Sequence, residues 1–204
     1  RYIGGVGARQ LPVPMMNILN GGVHADNDVD FQEFMIVPVG TSSLAEAVRM
    51  GSEIFHGLKK LLKQKGYNTA VGDEGGFAPA VRSNREAIEL ILQSIENTGY
   101  KPGSDVYIAL DVASSEFYDN QSGMYLLKGE NQQLSTEQMI ELLKELCRQF
   151  PILSIEDGLQ QNDFAGTARL TAALQGKVQI VGADLFVTNT RRLKQGIADH
   201  CANS

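Results

Sequence analysis

Val106-Tyr107-Ile108-Ala109-Leu110-Asp111 is a run of aliphatic and aromatic residues closed by a carboxylate. Val106 to Leu110 reads as a strand, because branched and aromatic side chains suit a pleated, buried surface. Two later runs have the same form: Ile152-Leu-Ser-Ile155 leads into Glu156-Asp157, and Val178-Gln-Ile-Val181 leads into Gly182-Ala183-Asp184. Helical patterns separate them. Ser135-Thr136-Glu137-Gln138 has the form of a capping box and opens a helix with Met139, Leu142, Leu143 and Leu146 on one face. Phe164 to Leu174 is a second helix, and Asn189 caps a last helical segment. Strands alternating with helices at this spacing predict βαβ units, a parallel sheet and an α/β fold.

Upstream the rhythm differs. Leu11 to Leu19, broken by Pro12 and Pro14, reads as an edge strand, and Phe34 to Val39 as its hairpin partner. Leu44, Ala47, Val48, Ile54, Phe55, Leu58, Leu61 and Leu62 then fall at helical spacing, with Ser42-Ser43 as caps and Gly66 as the stop. Ser83-Asn84-Arg85-Glu86 is a second capping box, before a helix faced by Ile88, Ile91, Leu92 and Ile95 and ended by Gly99. Two strands and two helices therefore precede the alternation. Between those helices lies Val71-Gly-Asp-Glu-Gly-Gly-Phe-Ala-Pro79, with Asn68 to Val71 expected as a short strand. Its glycines permit positive φ and close approach to a ligand, so the stretch reads either as a catalytic loop or as a tight turn with a solvated acidic tip.

The chain has 204 residues, 43% hydrophobic and 21% charged, enough for one domain with a sizeable core. The composition shows no break along the chain, so 1–204 reads as one domain. With 24 acids against 18 bases and no basic cluster, a nucleic-acid partner is disfavoured. No apolar run approaches the ~20 residues of a membrane span, and no signal-peptide pattern is present. Cys147 and Cys201 form no metal or redox motif, which suits a reducing cytoplasm. An opening on Arg1 and an abrupt close at Ser204 lead us to expect a piece of a longer protein.

In a parallel α/β barrel the C-terminal strand ends converge on one mouth, where such enzymes react. Carboxylates gathered there repel one another unless a hard cation neutralises them, and an oxygen-only set favours Mg²⁺. Each acid alone is an ordinary polar turn residue; three in phase point to a metal site. His24 sits in a Gly-rich loop with several carboxylates, whereas His56 and His200 read as structural or solvated.

The chain resembles the enolase (phosphopyruvate hydratase) family along its whole length. The matching stretches are Asn20-Gly-Gly-Val-His-Ala-Asp-Asn27, Phe31-Gln-Glu-Phe34, Val71 to Pro79, Ala109-Leu-Asp-Val-Ala113, Ser154-Ile-Glu-Asp157 and Leu185-Phe-Val-Thr-Asn189. The resemblance implies a partial ββαα(βα)n TIM barrel without the family's N-terminal domain and last barrel strands. It implies interconversion of 2-phosphoglycerate and phosphoenolpyruvate plus water, with Mg²⁺ stabilising an enolate, an arrangement known from enolase-superfamily sites. By motif, Glu74 is the general acid, supported by Glu33. His24, Gln32, Glu33 and Glu156 match substrate-contacting positions, and Asp111 and Glu156 match metal ligands. The resemblance also implies a homodimeric parent in the cytoplasm, with a secondary cell-surface location. Two departures stand out: the family's third metal ligand falls on Ala183, and its basic lysine is expected beyond Ser204. An enolase-like protein kept for binding and not for catalysis is therefore the competing expectation, and the isolated fragment is expected to be inactive.

Overall fold

The computed structural model describes residues 2–25, 27–174 and 176–204, so that Arg1, Gln175 and Asp26 of the Asn20–Asn27 motif lie outside the described residues. The strands β1 (Met16–Asn20) and β2 (Glu33–Val37) are followed by the helices α1 (Leu44–Gln64) and α2 (Asn84–Asn97). Next come β3 (Tyr107–Asp111), the short strands β4 (Tyr118–Asp119), β5 (Met124–Leu127) and β6 (Gln132–Leu134), and α3 (Thr136–Gln149). The chain continues with β7 (Ile152–Glu156), α4 (Phe164–Leu174), β8 (Gln179–Val181) and α5 (Thr190–Ala198). The main sheet has the order β1-β2-β3-β7-β8, and its two outer strands do not meet, so no barrel closes among the described residues.

Pairing in that sheet is mixed. β2 runs antiparallel to both β1 and β3, whereas β3, β7 and β8 are parallel. Alternation sorts the strand side chains onto two faces. Phe34, Ile36, Ile108 and Leu110 turn toward the helices and join the main core with Ile54, Leu58, Ile88, Ile91, Met139 and Leu143. Met35, Val37 and Ala109 form a separate small cluster on the other face. Glu33 and Asp111 share the parity of that second face.

The helix caps hold, but one of the two expected capping boxes does not. Ser43, Ser83 and Ser135 each accept a hydrogen bond from the backbone N–H three residues on, and the Ser135 box is complete, with Gln138 reaching back. Glu86 does not close the second box. Its carboxylate accepts the Arg82 N–H (2.9 Å) and the Tyr67 hydroxyl (2.6 Å) instead, tying α2 to the end of α1. Gly66 (φ 81°) and Gly99 (φ 89°) end α1 and α2 in the left-handed conformation expected of a C-terminal glycine.

Three expectations need correction. The first strand starts at Met16 and not Leu11, because Pro12 and Pro14 offer no N–H to a ladder and residues 8–15 form no strand. Asn68 to Val71 is not a strand; Val71 makes only an isolated bridge to Phe77 across a tight turn. Residues 118–134 carry a three-stranded antiparallel sheet that periodicity did not reveal. Its buried Tyr125 accepts the Gln160 N–H at 3.0 Å, which fastens this small sheet to the loop after β7.

Candidate active site

The site follows from sheet register. Asn20 pairs with Glu33, Glu33 with Asp111, and Asp111 with Glu156. Residues paired across neighbouring strands carry their side chains on one face, with Cβ atoms about 4.5–5.5 Å apart. Three carboxylates from β2, β3 and β7 therefore stand in a row. Glu33 joins it from the start of its strand, since β2 runs opposite to its neighbours and presents its N-terminal end where theirs finish.

Asp111 is buried. Its Oδ2 accepts Gln32 Nε2–H (3.0 Å) and its Oδ1 accepts the Ala113 N–H (3.1 Å). Burial first, then the charges of Glu156, Glu33 and Asp157, push its carboxyl up to about 8. Glu156 is also raised, by burial and then by Asp157, Glu33 and Asp184. The only ion-pair contact made by the row, among the described residues, is from His24 to Glu33. Buried like charges in this state demand either protons or a cation.

Asp111, Glu156 and Asp157 each offer an oxygen within 4.8 Å of the others. Asp157 has a different duty, however. Its Oδ2 accepts the Asp184 N–H (2.8 Å) and its Oδ1 the Leu185 N–H (3.2 Å), while its own N–H reaches Val181 O (3.1 Å). It holds the corner after β8 and leaves Asp111 and Glu156 as the available ligands. β8 ends at Val181, so Ala183 and Asp184 lie beyond it and strand alternation does not govern where Asp184 points. Ala183 is exposed and offers only a methyl group. The donor set therefore fits a hard divalent cation in kind: all oxygen, anionic and, among the described residues, lacking a Lys or Arg partner, with two protein ligands.

The other end of the row is a second group. His24, Glu33 and Glu74 also bring ligand-type atoms within 4.8 Å of one another. His24 closes a 3-10 turn, Gly22–His24, and its Nδ1 lies 3.6 Å from Glu33 Oε1, too long for a hydrogen bond. That nitrogen is buried and has no partner among the described residues. The Glu33 carboxyl is raised by burial and then by the Glu74 charge, with His24 opposing. Glu74 itself is exposed, on a turn and not at a strand end.

That turn is stitched to β1. Gly72 N–H bonds Gly76 O (2.8 Å), Phe77 N–H bonds Ile18 O (3.0 Å) and Asn20 N–H bonds Phe77 O (2.8 Å). Phe77 is buried and stacks on Phe55 of α1 with ring centroids 4.3 Å apart. Gly75 has φ 84°, and a Cβ on Gly76 would come within 2.7 Å of Leu19 N, so both positions require glycine.

His24, Glu33 and Glu74 thus meet at one end, and Gln32, Asp111 and Glu156 at the other. Two residues of the site went unrecognised in the sequence, Asp157 and Asn20. Both lie inside motifs already singled out, but only the bonds they make reveal their part. A cavity of about 490 Å³ lies between residues 22–23 and 27–30 and the small sheet, lined by Val29, Phe117, Leu126, Asp28, Asp30 and Lys128, and none of the site carboxylates lines it. No described helix is long and apolar enough to cross a membrane.

A family model described as "Enolase, C-terminal TIM barrel domain" matches residues 8–204, nearly the whole chain. That match agrees with two strands, two helices and then alternation, and the chain belongs to the enolase C-terminal TIM-barrel domain family.

Proposed function

We propose that this chain is the central part of the barrel domain of a phosphopyruvate hydratase, a lyase that interconverts 2-phosphoglycerate and phosphoenolpyruvate plus water. The observation that carries the reading is the in-register row Glu33–Asp111–Glu156, with His24 and Glu74 gathered at one end. A row of carboxylates repels an anionic substrate unless a cation lies between them. Asp111 and Glu156 would hold Mg²⁺, with Gln32 Nε2–H fixing the Asp111 carboxylate. When bound, Mg²⁺ supplies the positive charge that draws in the substrate carboxylate and stabilises the enolate formed from it.

Dehydration also requires a proton for the departing hydroxyl. Glu74 stands beside Glu33, on whose carboxyl burial and then the Glu74 charge favour a proton. Glu74, on the turn, delivers that proton; Glu33, on the rigid strand, sustains the pair. His24 stands beside them, its Nδ1 without a hydrogen-bond partner among the described residues. Removal of the proton alpha to the carboxylate falls to the lysine that the family resemblance places beyond Ser204.

The experiment is steady-state turnover of 2-phosphoglycerate by the intact parent protein with Mg²⁺. Glu74→Gln should lower kcat by ~10²–10⁴-fold, the usual worth of a general acid, with Mg²⁺ affinity retained. Near-normal turnover in that variant removes Glu74 from the acid role. No turnover in the parent favours the second reading, an enolase-like binding protein, to which Ala183 at the third ligand position points.

A further inference from the structure

Asn20 is the one member of the row that is not an acid, and it is completely buried. Its Nδ2 has no hydrogen-bond partner among the described residues, although leaving a buried amide donor unpaired is destabilising. Its Oδ1 accepts from Asn17 Nδ2 (3.2 Å). The carboxamide lies directly under the Glu74 turn. A Cβ built on Gly76 would sit 2.1 Å from Asn20 Oδ1, and one built on Gly72 would sit 3.1 Å from Asn20 Nδ2. The far stem of the turn therefore rests on this side chain, whereas a Cβ on the near stem would meet His24 O first, at 2.6 Å, with Asn20 Nδ2 beside it.

The backbone of Asn20 binds the same neighbourhood together. Its N–H bonds Phe77 O at 2.8 Å, at the far stem of the turn. Its C=O accepts Asn27 Nδ2 (3.0 Å), which also donates to Pro79 O (3.0 Å). Across the sheet it is the register partner of Glu33. Asn20 thus meets all three segments that bear His24, Glu33 and Glu74.

We propose that Asn20 is a positioning residue for Glu74, its carboxamide acting as the wedge that sets the height of the Gly72–Gly76 turn above Glu33. The proposal rests on the functional reading above for its catalytic consequence, but not for its structural one. A polar side chain kept in a buried place with one donor idle is not explained by packing alone, since an apolar residue would fill the space without that penalty. A shorter side chain lets the turn settle and moves the Glu74 carboxyl relative to Glu33, and a displacement near 1 Å can cost about 10²-fold in rate.

The test uses Asn20→Ala and Asn20→Asp in the intact parent. Asp keeps the shape and the acceptor for Asn17, and the exchange removes no hydrogen bond made among the described residues. Assays run from about pH 5.5 upward, so that the added carboxyl is also read in its protonated form. Two quantities are read: amide hydrogen exchange at Gly72, whose N–H closes the turn onto Gly76 O, and kcat and KM for 2-phosphoglycerate. Asn20→Ala should speed exchange at Gly72 by at least about tenfold. It should lower kcat by about 10²-fold with KM held within about twofold, and Asn20→Asp should recover most of both losses. Unchanged Gly72 exchange in Asn20→Ala overturns the proposal. So do equal losses in the two variants, or kcat and KM failing together as in a generally loosened fold. A parent without turnover refutes the functional reading instead, and the exchange measurement alone then decides whether Asn20 holds the turn.

Discussion

Replacing Asp157 by Asn separates a structural carboxylate from a ligand. Each Asp157 oxygen accepts a backbone N–H of the corner after β8, from Asp184 at 2.8 Å and from Leu185 at 3.2 Å. An Asn side chain keeps the shape but must turn its NH₂ toward one of those two donors. One charge-assisted hydrogen bond is then lost, and such bonds are worth about 1.5–3 kcal/mol. The substitution also relieves repulsion with Glu156, which the Asp157 charge pushes up, so the net loss should fall near the lower figure. For a domain of this size about 1 kcal/mol moves the melting point by roughly 2–4 °C, so Asp157→Asn should melt about 3–6 °C lower. Amide exchange at Asp184 and Leu185 should quicken together. Mg²⁺ affinity, by calorimetric titration, should change far less than the ~10-fold expected when a ligand or its close support is lost. A collapse of Mg²⁺ binding with unchanged melting and unchanged exchange would refute the assignment and make Asp157 a direct ligand.

Ala183→Asp puts a carboxylate on a corner whose next two amides Asp157 already holds, and should raise Mg²⁺ affinity by about 10–100-fold and turnover with it; equal affinity in both forms would mean that water or Asp184 supplies the missing oxygen. A pH dependence follows from Asp111, whose folded-state carboxyl lies near 8 against 3.8 for the free group. Between those values the folded form keeps a proton that the unfolded chain has released, so stability is full below about pH 4 on this account and is lost as pH rises toward 8. With chelator present the melting point should fall over that interval, and saturating Mg²⁺ should flatten the decline; a chelated protein that melts higher at pH 8 than at pH 5 would contradict the assigned burial of the row.

The fold was legible wherever a local rule was strong. Phe164–Leu174 appears with the expected bounds, and all three serine caps accept the bond that a cap should accept. Errors arose where tertiary contact overrides local preference. Glu86 follows a box pattern, yet the Tyr67 hydroxyl and the Arg82 amide claim its carboxylate, because α1 and α2 pack side by side. The strands of the small sheet are too short for periodicity to register, β4 being only Tyr118–Asp119. Asn68 to Val71 has the look of a strand leading into the Val71 to Pro79 loop. Its hydrogen bonds to Ile18 and Asn20 instead make it a hairpin laid against the edge of β1.

The site was legible in part for a reason that can be stated physically. Asp111 and Glu156 close apolar runs, and parallel strands bring such ends together, so their meeting follows from pattern alone. Glu33 opens its strand, and by the same logic it belongs at the opposite rim. Only an antiparallel β2 reverses that assignment, and nothing local in Phe34 to Val39 reveals strand direction. Family resemblance singled out Glu33, which strand logic alone would place at the rim opposite Asp111 and not beside it. Asn20 was hidden more deeply, for an Asn before Gly21-Gly22 reads as a turn residue. Its importance lies in what it excludes, since a side chain on Gly76 would collide with its Oδ1 as well as with the backbone of Leu19. A glycine in the acid turn and an asparagine fifty-odd residues earlier thus answer to one steric requirement, and that coupling exists only in the folded chain.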